Sequence, residues 1–269
     1  MKKFRYFAVL FILCFFCKSN LYAFVPDSAN LINFMLKKKG SCGSYFSAAN
    51  SSIFSFDGDN IFEAEIDLYY SCSGYFRANW KSSFSSMIYM ESTTKAMTLH
   101  GEEIVSEKPS KYFLFKDIFW LYNYNDFLSH LEKRGCKVSD VRFDKTDGKI
   151  CYVIGKINQD SLKDQAELWI DKETFLPYFY NLVFEGKKSS FKFKNYFKTG
   201  SLFYPGIIEI YINDVLTRKI DSKVLNSSFK PGSNDFFIVD KFLKLYKKSD
   251  SGFEDELPVM SDSIGKIFE

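Results

Sequence analysis

The chain of 269 residues is poor in the side chains that enzymes are built on. His100 and His130 are its only imidazoles. No G-x-S-x-G elbow, H-E-x-x-H zinc string, phosphate loop or G-x-G-x-x-G turn occurs in it. Glu102 and Glu103 follow His100 at a predicted turn, where a solvated acidic pair is the plain reading. Asp164, Glu167 and Asp171 lack the spacing of a calcium loop. No catalytic residue, metal site or cofactor is assigned on these grounds, and the chain is read as a non-enzyme.

What remains is apolar chemistry. Rings make up 19% of the residues, with 31 Phe and 17 Tyr. Phe62, Ile66, Leu68, Phe76, Trp80, Phe191, Phe193, Ile208 and Ile210 recur at alternate positions of predicted strands, so each set shares one sheet face. Such faces either line a hydrophobic ligand cavity or make an ordinary core. Phe119, Trp120, Leu128 and Leu131 fall in a stretch without alternation. They are candidates for a lid over that face, or for a helix that packs there permanently. Trp169 alternates against Leu168 and Ile170 and is expected to face solvent or a partner.

The elements that must position these residues are mostly strands. Asp27–Lys39 reads as a helix capped by Asp27 or Ser28, with Lys37, Lys38 and Lys39 suiting the negative end of its dipole before Gly40. Ser51–Phe56 and Asn60–Tyr70 are strands joined at Asp57-Gly58-Asp59. Further strands follow over Tyr75–Lys81, Ser85–Glu91, Lys95–His100 and Ile104–Glu107. Pro109–Arg134 then reads as one or two helices, with Asn125 a cap and Gly135 a stop. Strands resume at Cys136–Asp144 and Lys149–Ile157, and Ala166–Phe184 forms a hairpin with Pro177 opening its second strand. Ser189–Lys198, Gly206–Asn213 and Val215–Asn226 complete about eleven strands in a curved antiparallel sheet, or two sandwiched sheets. Helices inserted midway through such a meander must lie across a sheet face.

Residues 1–23 read as a secretory signal peptide: Lys2, Lys3 and Arg5, an apolar run Phe7–Cys17, and Ala23 at the cleavage edge. An uncleaved anchor is the alternative. Cleavage removes Lys2, Lys3, Arg5 and Lys18 and no acid, so the formal charge falls from +3 to −1. That excludes a global nucleic-acid footprint. Cys42, Cys72, Cys136 and Cys151 remain, in no C-x-x-C pair. An oxidising compartment allows two disulfides in three pairings, and buried free thiols are the other reading. A short helix over Lys241–Lys247 and a mobile tail are expected in 239–269.

Gly74–Arg77 (G-Y-F-R), Asp147–Gly155 (D-G-K-I-C-Y-V-I-G), Leu168–Pro177 (L-W-I-D-K-E-T-F-L-P) and Ser201–Tyr211 (S-L-F-Y-P-G-I-I-E-I-Y), in this order of elements, resemble the LolA/LolB-type lipoprotein-carrier superfamily over residues 24–238. The resemblance implies a mainly β (α+β) fold: a strongly bent, incomplete antiparallel barrel with an N-terminal helix and inserted lid helices. It implies a periplasmic carrier or chaperone, monomeric, that holds acyl chains of lipoproteins or phospholipid between sheet and lid. An inner-membrane release complex and an outer-membrane acceptor would be its partners, without nucleic acid. The superfamily also contains anti-sigma-factor regulators, which makes an envelope sensor or scaffold the second reading. One departure stands out. Ser71-Cys72-Ser73 occupies the place where the best-known carriers have an Arg-Pro pair whose Arg hydrogen-bonds the lid shut, and Arg77 is a different position.

Overall fold

The structure is a computed structural model that describes residues 26–83, 85–157, 165–184, 186–233 and 235–248. The leader and most of the tail read from sequence lie outside the described residues. Helix α1 (Ser28–Lys39) opens the fold. Its N-cap is Asp27, whose carboxylate accepts from the Asn30 N–H at 2.7 Å. Gly40 ends it at φ 101°, and any side chain there would stand 1.7 Å from the Ser201 carbonyl oxygen.

Six strands follow: β1 (Tyr45–Asp57), β2 (Asn60–Ser71), β3 (Tyr75–Lys81), β4 (Ser86–Ser92), β5 (Ala96–His100) and β6 (Glu103–Ser106). A 3-10 turn at Leu114–Ile118 and helix α2 (Tyr124–Lys133) interrupt them. Seven more strands return: β7 (Val141–Thr146), β8 (Lys149–Gly155), β9 (Gln165–Asp171), β10 (Pro177–Phe184), β11 (Lys187–Thr199), β12 (Leu202–Ile212) and β13 (Val215–Asp221). Helix α3 (Val239–Leu245) and the two-residue β14 (Lys247–Lys248) close the described chain.

All of them join one sheet of order β14-β6-β5-β4-β3-β2-β1-β13-β12-β11-β10-β9-β8-β7. The chain starts in the middle, winds out to β6, crosses to β7 at the far edge, and winds back until β13 pairs with β1. Every pairing is antiparallel except β14 on β6. The sheet is therefore a bent, open half-barrel, as the resemblance implies. The segment Glu107–Asp140 is the one edge-to-edge connection, and it has to pass over a face.

The core lies between that crossover and the sheet. Ile66, Leu68, Tyr70, Phe76, Phe191, Phe193, Ile208 and Ile210 are buried on the sheet side, and Phe113, Phe115, Ile118 and Phe119 on the crossover side. Leu31, Ile32, Met35 and Leu36 of α1 join them, whereas Phe34 is half exposed. On the opposite face Met90, Met97, Leu99 and Ile104 form a second cluster under Val239 and Phe242 of the α3 region. Arg77 is buried there: it donates to the Phe236 carbonyl at 3.0 Å and stacks on the Phe236 ring.

Several boundaries differ from expectation. The described residues form fourteen strands rather than about eleven. β1 begins at Tyr45, not Ser51, because a bulge between Ala48 and Ser51 hides the alternation; there Asn50 has φ 52° and donates to Asp67. β7 begins at Val141, not Cys136. The Cys136 N–H is taken by the Leu131 carbonyl, closing α2 instead of opening a strand. The α2 cap is Asn123, not Asn125, its side chain accepting from two following N–H groups. Pro177 does open β10.

One disulfide joins Cys42, after α1, to Cys72 in the β2–β3 turn, while Cys136 and Cys151 are buried free thiols. The bridge closes a loop of 30 residues, which restricts the unfolded chain by about 3.5 kcal/mol. A Cys42→Ala/Cys72→Ala double variant is expected to lose stability of that order in urea titrations. An unchanged midpoint would show that the bridge contributes nothing. Cys136→Ala, which removes no cross-link, serves as the comparison.

Candidate functional site: the concave face and its lid

Register places the sequence-predicted residues in rows across the bent sheet. Phe191 faces Ile210, Ile210 faces Arg218, Arg218 faces Ser55, and Ser55 faces Phe62. The next row runs from Phe193 through Ile208, Ile220 and Ile53 to Ala64. Ile66 opposes Trp80, and Leu68 opposes Ala78. So Ile66, Leu68, Phe76, Phe191, Phe193, Ile208 and Ile210 meet on one buried face. Phe62 and Trp80 are only half-buried, because they lie toward the β1–β2 hairpin tip, away from the crossover.

The crossover is a lid pressed directly onto these rings. Phe119 stands edge-on to Phe193 at 5.1 Å and tilted on Tyr204 at 5.1 Å. Phe115 meets Phe191 at 6.0 Å, and Phe113 meets Phe76 at 5.7 Å. Leu131 is buried and Leu128 half-buried. Where lid and sheet meet, then, the concave face is filled by the chain's own rings. Trp120 is buried too, but against charges: the Lys116 ammonium lies 4.3 Å from its ring centroid and the His130 ring 5.7 Å away.

Polar groups tie the lid to the rest of the fold. Lys39 is the residue that reading the lysine run as a dipole complement misplaced. Lys37 and Lys38 are exposed, but Lys39 is completely buried. Its position falls on the helix face of Ile32, Met35 and Leu36, a periodicity visible in the sequence. Its amine donates to the carbonyls of Ile118 at 2.6 Å and Leu121 at 2.9 Å, beneath the Tyr122 ring. Leu121 also bridges Ser73, next to the disulfide. This amine thus holds lid carbonyls although the Arg-Pro pair is missing. Burial lowers its pKa to about 7.

A second tie is ionic. Lys116 bonds Asp117 at 2.7 Å and Glu91 of β4 at 2.9 Å. Arg134 and His130 each reach Asp117 at 2.9 Å, and the Tyr89 hydroxyl donates to Glu91. Burial pulls the Asp117 carboxyl up, but Arg134, Lys116 and His130 outweigh it and hold it well below the usual range. Burial and Glu91 push the Tyr89 phenol well above its ordinary value. Glu91 occupies the inward parity of Tyr89, so an acid on an apolar face was its sequence signal.

Among the described residues, clefts open at the margins. One of about 440 Å³ lies beside the ionic tie, lined by Trp120, His130, Lys133 and Arg134. Another, about 400 Å³, lies along Phe193, Leu176 and Tyr196. A third of about 370 Å³ sits on the outer face around Trp169, Phe179 and Tyr211. Trp169 does face outward, its indole donating to Glu167. Among the described residues no cluster of three metal-ligating side chains occurs, and no helix is long and apolar enough to cross a membrane. His100 accepts or donates one bond to Ser85 at 2.6 Å.

No family model and no curated protein matches the sequence. Solved structures do. A domain from Vibrio parahaemolyticus described as an outer membrane lipoprotein-sorting protein superposes with a TM-score of 0.52 at 11% identity, covering 80% of this chain and 97% of that one. A DUF1329 family protein from Desulfovibrio piger gives 0.51 at 13%, covering 80% and 97%. A LolA superfamily protein from Nitrosomonas europaea gives 0.44 at 11%, covering 81% and 100%. At such identities the likeness of the first two is one of fold, and it agrees with the resemblance read from the strings.

Two measurements probe the ties. Unfolded lysine keeps its proton to near 10.5, whereas folded Lys39 releases it above about 7. Between those values the unfolded chain binds more protons, so stability rises with pH, by at most about 1.4 kcal/mol per unit. Urea titrations from pH 7.5 to 9.5 should show this rise in the parent and not in Lys39→Met; parallel curves would contradict it. Asp117→Asn leaves buried Lys116 and half-buried Arg134 with Glu91 as their one remaining acid and is expected to lose about 3–5 kcal/mol. A change within about 0.5 kcal/mol would show that the network is solvated.

Proposed function

We propose that this chain is a non-enzymatic carrier or chaperone for acyl chains, admitted to the concave face when the lid withdraws. The supporting observation is how the lid is fastened. Buried ion pairs are a poor way to stabilise a permanent core, since desolvation offsets most of their attraction. They suit a segment whose charges regain water when it parts from the sheet. The rings behind it, Ile66, Leu68, Phe76, Phe191, Phe193, Ile208 and Ile210, flanked by Phe62 and Trp80, would then contact hydrocarbon. Phe119, Trp120, Leu128 and Leu131 would move with the lid.

The rest of the reading follows from the sequence. Residues 1–23 are a leader for export to the periplasm, a setting that suits the Cys42–Cys72 disulfide. The working unit spans 24–238, as a monomer, with 239–269 an appended helix and tail. Cargo is drawn from lipoprotein acyl chains or other envelope lipids such as phospholipid, loaded at an inner-membrane complex and surrendered to an outer-membrane acceptor. The solved domain described as lipoprotein-sorting has the same fold. A second reading, an envelope scaffold for a protein partner, is favoured by the ring-on-ring filling of the concave face.

Hydrogen exchange separates the two. With oleate or lipid vesicles added to delipidated mature protein, amides of 109–134 should exchange at least tenfold faster while those of β8–β12 stay protected. Solvent extraction of the native protein should yield lipid in near-stoichiometric amount. Lid amides as slow as the sheet's, together with lipid-free protein, would leave the scaffold reading.

A further inference from the structure

Arg218 lies on the concave side of β13, at the parity of Ile220, and is 5% exposed. Its neighbours across the sheet are Ile210 and Ser55. Its guanidinium sits 3.5 Å from the ring centroid of Tyr112, which belongs to the lid segment. Nη1 is buried with no hydrogen-bond partner, and among the described residues no carboxylate acts on the group.

This sets it apart from the other buried cations. Lys116 and Arg134 have Asp117 and Glu91. Lys39 has two carbonyls, and Arg77 has Asn79 and the Phe236 carbonyl. A guanidinium left buried and unanswered is costly, and the penalty shows as a pKa lowered by burial to about 10. A ring face relieves part of that cost but supplies no hydrogen-bond acceptor.

We infer that Arg218, uncovered when Tyr112 withdraws with the lid, is the binding site for an anionic group, a carboxylate or a phosphate, carried by the hydrocarbon ligand. The inference rests on the acyl-carrier reading and sharpens it. The planar fork of an arginine matches two oxygens of a carboxylate or phosphate. The hydrocarbon attached to that group would run along Ile210 and Phe191, the adjoining members of the same row. Neutral cargo, such as the diacylglyceride of a lipoprotein, would leave the guanidinium unanswered. The cargo class is therefore fatty acid or anionic phospholipid.

The test compares matched ligands on delipidated mature protein: oleate against oleyl alcohol, and phosphatidylglycerol against diacylglycerol, each in detergent micelles. Expected is at least tenfold tighter binding of the anionic member of each pair. Arg218→Met should abolish that preference without weakening the neutral ligands, and should raise the melting temperature of the ligand-free protein. Arg218→Gln repeats the comparison if the Met variant does not fold. Equal affinity of charged and neutral ligands for the parent overturns the inference and leaves the carrier reading intact. Absence of binding by all four overturns both. A lowered melting temperature with the preference retained assigns Arg218 a structural role. Inorganic phosphate alone, protecting the protein as fully as phosphatidylglycerol, would make the site one for a free anion.

Discussion

One topological constraint shapes the molecule. A sheet whose first half is laid down from the centre outward and whose second half is laid down from the far edge inward needs a connection from one edge to the other, and that connection cannot run in the plane of the sheet. Here it is the segment between β6 and β7. Because the sheet is bent, crossing the concave side is the short way, and it lets the crossover bury its own apolar residues. Phe113, Phe115, Ile118 and Phe119 are the result. The lid is thus the price of the strand order.

The same segment must carry polar groups, since its backbone is neither sheet nor continuous helix and its free carbonyls need donors. Lys39 answers two of them from α1, and Ser73 answers Leu121 through a bridge. Both anchor points flank the Cys42–Cys72 disulfide, which holds the end of α1 against the β2–β3 turn. Between Phe115 and Ile118 the lid also meets β4, through Lys116 and Glu91. Polar ties are thus interleaved with the rings, so the segment has no continuous apolar seam.

Much of this was legible from residue order. Alternation in Asn60–Tyr70 and Ser189–Lys198 identified strands whose inward residues are now found buried together. The break in alternation after Pro109 identified the lid. Less visible were features decided by partners far along the chain. Nothing local tells that Asp67 will accept from Asn50 and bulge β1, or that the Cys136 N–H will be spent on closing α2. The charged residues inside were half legible. Lys39, Glu91 and Arg218 each sit at an apolar parity of their own element, a signal that a preference for assigning charge to solvent passes over. Which cysteines pair is a matter of tertiary distance, so one bridge and two thiols could not have been chosen from spacing.

A filled concave face does not by itself argue against a ligand; the magnitudes decide. Withdrawing the lid exposes Phe113, Phe115, Ile118 and Phe119, which costs roughly 6–12 kcal/mol at about 1.5–3 per side chain. An acyl chain of about sixteen carbons, taken out of water in their place, returns roughly 13 kcal/mol at about 0.8 per methylene. The two apolar quantities are of the same order. On the carrier proposal, rings on the lid and hydrocarbon from outside would be alternative covers for the same surface, with the polar contacts added to the balance. Were the lid to leave, Asp117, Lys116 and Arg134 would regain hydration, and Lys39 would become free to protonate below its ordinary value. On the carrier proposal, a charged contact between cargo and sheet would add to this exchange and favour the open state over the shut one.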